Sequence, residues 1–282
     1  MTVSGAAKLA GIVGWPVAHS LSPRLHGHWL KELGIDGTYI PMPVHCEDFA
    51  SVLKSLQAVG FAGLNVTVPH KEAAFALAHE VDDAAEAAGA ANLLIFRDGR
   101  ILARNTDAPG LAASLQESLG PDCVKDRVAV VLGAGGAARA VVLALSNLGA
   151  GEIRIVNRDR HRAETLAGTM KPFTRSKLAT AGWPTAAADA SLLVNATSAG
   201  MHGNPPLDIS LEALPSHAAV CDIVYNPLET DLLKVARIRG HRTVDGLGML
   251  MHQAVPSFAA FFGQTPKVTP ALRAVLEAAL RG

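Results

Sequence analysis

The chain has little cysteine. Cys46, Cys123 and Cys221 are odd in number and far apart, and no Cys-x-x-Cys pair or Cys/His ligand spacing occurs. A disulfide framework and a zinc site are therefore excluded, no metal is expected, and reduced thiols fit a cytoplasmic protein. Charge of either sign is not in excess either: Lys+Arg and Asp+Glu number 25 each. No whole-molecule field then draws the chain to nucleic acid or to an anionic membrane, so any anion site has to be local. Long apolar runs are missing, which removes a membrane span. The apolar run within Met1 to Ala18 is short and broken by Gly11, Gly14 and Pro16, so it reads as a first strand entering a loop rather than a secretion signal. Repeats, charge blocks and low-complexity tracts are absent.

What is present is a globular composition, 49% hydrophobic and 18% charged, over 282 residues, which is comfortable for two domains. Strand and helix patterns alternate from end to end. Strands are expected at Leu9 to Val13, Thr38 to Val44, Leu64 to Val68, Ala90 to Phe96 and Ile101 to Asn105, the last two joined by a hairpin turn at Asp98-Gly99. Ser22-Pro23 reads as an N-cap with proline at the first helical position, and Pro69 as the start of another helix. This gives an N-terminal α/β domain with a mixed sheet.

A helix follows Asp107, and a second strand series is expected at Val128 to Leu132, Glu152 to Val156, Leu192 to Asn195, Ala219 to Ile223 and His241 to Val244. That alternation implies a Rossmann-type, doubly wound parallel sheet. Helices over Met249 to Phe262 and Pro270 to Leu280 are expected to return to the first domain. The domain expectation is 1–107 for substrate and catalysis, with 247–282 packing back on it, and 108–246 for the nucleotide.

Gly133-Ala134-Gly135-Gly136-Ala137-Ala138 fits G-x-G-x-x-A between a buried strand and an apolar helix. The first glycine permits the tight turn and the second lets pyrophosphate approach the backbone. The small third residue lets helix and strand pack closely, while free N–H groups at the helix start face the phosphates. At the end of the next strand, where an NAD enzyme usually has Asp or Glu, stands Asn157, followed by Arg158 and Arg162. Asparagine does not repel a 2′-phosphate and the arginines can pair with one, so NADP is favoured over NAD. Asp159 either caps the helix or sets a negative charge against that phosphate.

Reducing a ketone requires a proton donor beside the carbonyl. Lys71, after Asn65-Val66-Thr67-Val68-Pro69-His70 at a strand end, is the candidate. Asp107 is a second; it reads equally well as an N-cap or as a catalytic carboxylate that favours the ionised lysine. Ser20 and Ser22 could hold a carboxylate at a helix start. Capping alone explains Ser22 but not Ser20.

These segments, in this order, resemble the shikimate dehydrogenase family over nearly the whole chain. The motifs are Gly14-Trp15-Pro16-Val17-Ala18-His19-Ser20-Leu21-Ser22-Pro23-Arg24-Leu25-His26, Asn65 to Lys71, Ala90-Ala91-Asn92, Asn105-Thr106-Asp107 and the glycine turn. They continue with Asn157-Arg158, Asn195-Ala196-Thr197-Ser198, Tyr225-Asn226-Pro227-Leu228-Glu229-Thr230 and Asp245 to Gln253. The resemblance implies reversible reduction of 3-dehydroshikimate to shikimate with NADPH, a step of aromatic amino-acid biosynthesis through chorismate. It implies Lys71 as acid–base residue, with Asp107 orienting it and the substrate. Ser20 and Ser22 would hold the substrate carboxylate, with Thr67, Asn92, Asp107 and Gln253 on the ring hydroxyls and Tyr225 nearby. Gly133, Ala134, Gly135, Gly136 and Ala137 would cradle pyrophosphate, Asn157, Arg158 and Arg162 the adenosine phosphate end, and Asp83, Ile223 and Gly246 would lie by the nicotinamide. The protein would act on a small molecule as a monomer or homodimer. Gly27, Leu93, Ala103, Ala108 and Asp159 depart from the usual pattern. The alternatives are a quinate/shikimate dehydrogenase using NAD or NADP and a non-catalytic NADP-binding or sensing protein.

Overall fold

A computed structural model describes residues 3–281. The chain forms two compact units, one of residues up to 106 together with those from 253 on, the other from Asp107 to His252.

In the first unit the chain runs β1 (Lys8–Gly14), α1 (Ser22–Glu32), β2 (Gly37–Pro43), α2 (Phe49–Ala58), β3 (Phe61–Val66), α3 (Lys71–Ala76), β4 (Glu80–Val81), α4 (Asp83–Ala88), β5 (Leu93–Arg97) and β6 (Arg100–Arg104). The six strands form one sheet in the order β2-β1-β3-β5-β6-β4. β1 is parallel to β2 and β3, whereas β5 is antiparallel to both β3 and β6, so the sheet is mixed. Phe49 and Leu53 of α2 and Ala74 of α3 pack with Val13, Leu64 and Leu94 of the sheet. The β5–β6 hairpin turns through Asp98 and Gly99, both at positive φ (50° and 74°), the backbone that a two-residue turn of this hand requires.

The second unit contains α5 (Asp107–Leu119), β7 (Val128–Leu132), α6 (Gly136–Asn147), β8 (Glu152–Val156), α7 (Arg160–Met170), β9 (Lys177–Thr180), β10 (Leu192–Asn195), β11 (Ala219–Asp222), α8 (Asp231–Ile238) and β12 (Arg242–Val244). α9 (Gly246–Phe262) begins in this unit and ends in the first, followed by α10 (Pro270–Arg281). The second sheet is wholly parallel, in the order β12-β11-β10-β7-β8-β9. The chain starts at β7, winds outward to β9, then returns across to β10 and winds the other way. The junction of β7 and β10 is thus the topological switch point, where open α/β sheets receive ligands. β10 and β11 are buried along their whole length, Cys221 lying in the middle of the latter.

The C-terminal helices pack on the first unit as expected. The Trp29 ring of α1 meets Phe258 edge-on at 5.4 Å, its Nε1 donates to the Lys267 carbonyl at 3.0 Å, and Lys8 Nζ donates to the Phe262 carbonyl. Among the described residues no helix is long and apolar enough to cross a membrane.

Several element boundaries differ from the sequence expectation. The third strand ends at Val66, because residues 67–70 form a turn closed by His70 N–H donating to the Thr67 carbonyl. The next helix therefore starts at Lys71, not Pro69. The strand expected from Ala90 starts at Leu93, since the Ala90 amide closes α4 on the Ala85 carbonyl and the Ala91 amide donates to the Lys71 carbonyl. β4, α4 and β9 had no sequence signal. β4 has two residues and β9 four, both lie at sheet edges, and neither carries a buried apolar row.

Candidate active site

One edge of the first sheet collects the polar segments. β1, β3 and β6 run in the same direction and β5 runs against them. The segments after β1 (Ser20, Ser22), after β3 (Thr67, Lys71) and after β6 (Thr106) therefore leave at the edge where Asn92 enters β5. Asp107 follows Thr106 in the chain as the first residue of α5 and is buried.

Ser22 does not cap α1, contrary to the capping expectation. The helix begins at Ser22 itself, Leu21 holds the cap position, and no side chain caps it. The Ser22 amide instead donates to Ser20 Oγ at 3.3 Å. The Ser22 side chain is buried. With no acidic residue in its first turn, this helix start offers two hydroxyls and unopposed backbone dipoles to an anion.

Thr67 lies one residue beyond β3 rather than inside it, yet its amide continues the ladder by donating to the Val13 carbonyl at 2.9 Å. Its methyl group fills the space a side chain at residue 14 would occupy, which is why Gly14 is needed there. His70 fixes the turn before Lys71: its Nε2 meets the Val44 carbonyl at 2.7 Å and its ring stacks on Phe49 at 4.6 Å. The Ala91 amide donates to the Lys71 carbonyl, tying the start of α3 to the segment carrying Asn92. Asn92 is in turn locked to Thr106, whose amide donates to Oδ1 at 2.8 Å and whose Oγ1 accepts from Nδ2 at 2.9 Å. Gln253 presents a buried Oε1 that has no hydrogen-bond partner among the described residues. A bound hydroxyl would satisfy it.

In the second unit Gly133 ends β7 at φ 108°, and a Cβ there would stand 2.9 Å from Thr197 Cγ2, beside the end of β10. The glycine turn thus occupies the switch point. A Cβ at Gly135 or Gly136 would meet nothing within 4 Å. These glycines are not demanded by packing, and they leave open backbone that a phosphate can approach. α6 has no side-chain cap and no acid in its first turn, so the donor set fits an anionic dinucleotide. Ala134 is half-buried and Ala137 exposed along the same turn.

At the end of β8, Asn157 Nδ2 donates to the Asp159 carbonyl at 2.8 Å, and the Asp159 carboxylate accepts from the Arg162 amide at 3.3 Å. Asp159 is therefore the cap of α7. Arg160 pairs with Glu164, while the exposed Arg158 and Arg162 side chains have no ion-pair partner among the described residues. Ile223 and Gly246 are brought together: a Cβ on Gly246 would collide with the Ile223 backbone, and the Gly246 amide donates to the Val224 carbonyl. Tyr225 is half-buried, and burial raises its pKa. Asp83 is an exposed residue at the start of α4, in the other unit from Ile223 and Gly246.

Residues 12–94 match the model of the shikimate dehydrogenase substrate binding domain, and residues 114–203 match that of shikimate / quinate 5-dehydrogenase. Shikimate dehydrogenase (NADP(+)) of Paramagnetospirillum magneticum is 50% identical over 277 residues, covering 96% of this chain and 99% of that one. The chain belongs to the shikimate dehydrogenase family. A solved shikimate dehydrogenase in complex with NADP+ superposes with a TM-score of 0.90 at 34% identity, covering 99% of this chain and 96% of that chain. The Thermus thermophilus enzyme in complex with NADP(H) and shikimate gives 0.85 at 36% identity, with 97% and 98% covered. The α/β fold with one mixed and one parallel sheet is the one expected from the sequence.

Two groups of residues escaped sequence reading. Asp222, at the end of β11, is fully buried and accepts hydrogen bonds from Asn195 Nδ2, Thr230 Oγ1 and the Val224 amide. Asn195 Oδ1 accepts from the Thr197 hydroxyl and amide, so this carboxylate braces the loop beside Gly133. Its signal was the Asn195-Ala196-Thr197-Ser198 motif. The second group, Tyr39 with Asn65 and Ser257, gave no signal as a unit.

Proposed function

We propose that this protein catalyses the reversible reduction of 3-dehydroshikimate to shikimate with NADPH, in the route to chorismate and the aromatic amino acids. The observation that carries the reading is the single sheet edge from which Ser20, Ser22, Thr67, Lys71 and Asn92 all emerge. It combines an anion-receptive helix start, an ammonium and ring-hydroxyl ligands. The curated relatives named as NADP-dependent shikimate dehydrogenases support it.

Ser20 and Ser22 hold the substrate carboxylate, while Thr67, Asn92, Asp107 and Gln253 take the ring hydroxyls. Tyr225 is a further substrate ligand. Lys71 gives a proton to the carbonyl oxygen on reduction and takes it back on oxidation, with Asp107 orienting it and the substrate. The hydride chemistry is that of bound NADP(H). Gly133 to Ala137 receive its pyrophosphate, Asn157, Arg158 and Arg162 its adenosine phosphate end, and Asp83, Ile223 and Gly246 its nicotinamide end.

The test is steady-state turnover of shikimate and quinate, each with NADP and NAD, in the wild type and in Lys71→Ala. Shikimate with NADP should give the highest kcat/KM. Lys71→Ala should lower kcat by about 10²-fold or more with shikimate and NADP binding kept. A quinate-to-shikimate kcat/KM ratio above one would assign the site to quinate. Binding of NADPH without turnover of either acid would assign it to a sensor.

A further inference from the structure

Asp222 closes β11 and Asn195 closes the neighbouring β10, and both are fully buried. The hydrogen bonds between them have one possible sense. The Thr197 amide donates to Asn195 Oδ1 at 3.1 Å, and an N–H only donates, so the orientation of the Asn195 amide is set. Its Nδ2 therefore donates to Asp222 Oδ1 at 3.0 Å and to the Ala199 carbonyl at 3.3 Å. The Thr197 hydroxyl joins the same group, donating to Asn195 Oδ1 at 2.7 Å and accepting from the Ala199 amide at 3.1 Å. Residues 195–199 are thus folded around one side chain, and that side chain is anchored on Asp222. The loop they form meets the glycine turn through Thr197, whose Cγ2 is the atom a Cβ on Gly133 would strike.

The same carboxyl group holds the loop after β11. Its Oδ1 accepts from the Val224 amide at 3.0 Å and its Oδ2 from the Thr230 hydroxyl at 2.7 Å. The Val224 carbonyl accepts in turn from the Gly246 amide at 3.2 Å. Val224, between Ile223 and Tyr225 in the chain, is therefore pinned through both of its backbone polar groups. The two loops are also joined to each other, the His202 amide donating to the Asn226 carbonyl at 2.9 Å.

We propose that Asp222 is the positioning residue for the nicotinamide half of the cofactor: its buried carboxyl group sets the loop that lies against the glycine turn and the loop that carries Ile223 in fixed register before the dinucleotide arrives. Loops held in the bound conformation leave little ordering for the moment of binding. Asp222 is wholly enclosed, so it acts through these loops and not by contact with the ligand. This inference rests on reading Gly133 and Ile223 as cofactor residues.

The test compares the dissociation constants of NADP and of adenosine 2′,5′-bisphosphate, which keeps the adenosine phosphate end and lacks the nicotinamide ribose. Asp222→Ala should weaken NADP by roughly tenfold or more, the scale of the hydrogen bonds removed, and leave the bisphosphate within about twofold. Asp222→Asn should stay within about threefold of wild type for both ligands. Its Oδ1 still accepts from Asn195 and Val224, and its Nδ2 donates to the Thr230 hydroxyl, which accepts as well as donates. An equal loss for the two ligands, or an asparagine variant as weak as the alanine one, would overturn the positioning role.

Thr197→Val gives an answer that does not depend on Asp222→Ala folding. Valine keeps the methyl group beside Gly133 and leaves the three donors to Asp222 in place, so only the far end of the hydrogen-bond chain is cut. NADP should weaken by about three- to tenfold with the bisphosphate unchanged, and an unaltered NADP affinity would overturn the proposal. Ile223→Ala tests the reading beneath it. If that variant binds NADP as the wild type does, the loop is not the nicotinamide site and the reading itself fails. If Ile223→Ala weakens NADP while Asp222→Ala and Thr197→Val do not, the reading survives and the positioning role is wrong.

Discussion

At the scale of single residues, the carboxylates of Asp159 and Asp222 behave differently. Asp159 accepts from the Arg162 amide and so caps α7, yet its charge lies at the same helix start as Arg158 and Arg162. Threonine keeps a capping oxygen and removes the charge. Asp159→Thr should therefore raise the NADP-to-NAD ratio of kcat/KM by about two- to fivefold, the worth of one exposed like-charge interaction, with little change in Tm. An unchanged ratio would show that the carboxylate does not face the nucleotide. Asp222, by contrast, is wholly enclosed, and burial raises its pKa despite three donors.

At the scale of elements, the glycine turn separates a folding role from a binding role. Gly133 has a left-handed φ of 108° and stands against Thr197, so Gly133→Ala should cost about 1–3 kcal/mol of stability as well as cofactor affinity. Gly135 has an extended backbone and open space around it, so Gly135→Ala should leave Tm nearly unchanged while weakening NADP binding. Thermal melts with and without NADP distinguish these outcomes, and equal Tm losses in both variants would contradict them.

The long, strongly patterned elements were legible in the chain. Val128 to Leu132 is a strand with the expected bounds, and the turn at Asp98-Gly99 is where its residues place it. Short edge elements such as β4 and β9 were not, because pairing with a neighbour rather than an apolar row defines them. The site was legible where chemistry coincides with a strand end, as at Lys71. It was misread at Ser22, where a residue type suited to capping instead lies inside the helix and Leu21 holds the cap position. Tyr39 donates to Asn65, 26 residues away, and sequence spacing carries no trace of that contact.

At the scale of the whole molecule, acid stability should be dominated by a group that the fold keeps neutral. Burial lowers the His26 pKa from 6.5 to about 3. Below pH 6.5 the unfolded chain takes up a proton that the folded chain refuses, so stability is retained above that pH and falls as pH drops towards 3. Over that window the loss is on the order of 5 kcal/mol, at about 1.4 kcal/mol per unit. Asp222 acts with the opposite sign: its folded form binds a proton first, so it contributes stability as pH falls through its raised value. His26→Phe should keep the ring stacked on Tyr39 and flatten the decline between pH 6.5 and 4. Denaturant midpoints across that range measure it, and identical slopes in the two proteins would place the acid sensitivity elsewhere.

Cys221 sits in the middle of β11, hydrogen-bonded between β10 and β12, with its thiol buried and its pKa pushed up, whereas Cys46 is exposed. An alkylating reagent added to the native protein will therefore meet Cys46 at once and Cys221 only when that parallel ladder parts. The rate at which Cys221 is modified is a clock for opening of the nucleotide-binding sheet, and slowing of that clock by NADP would report occupancy of the sheet without any measurement of turnover.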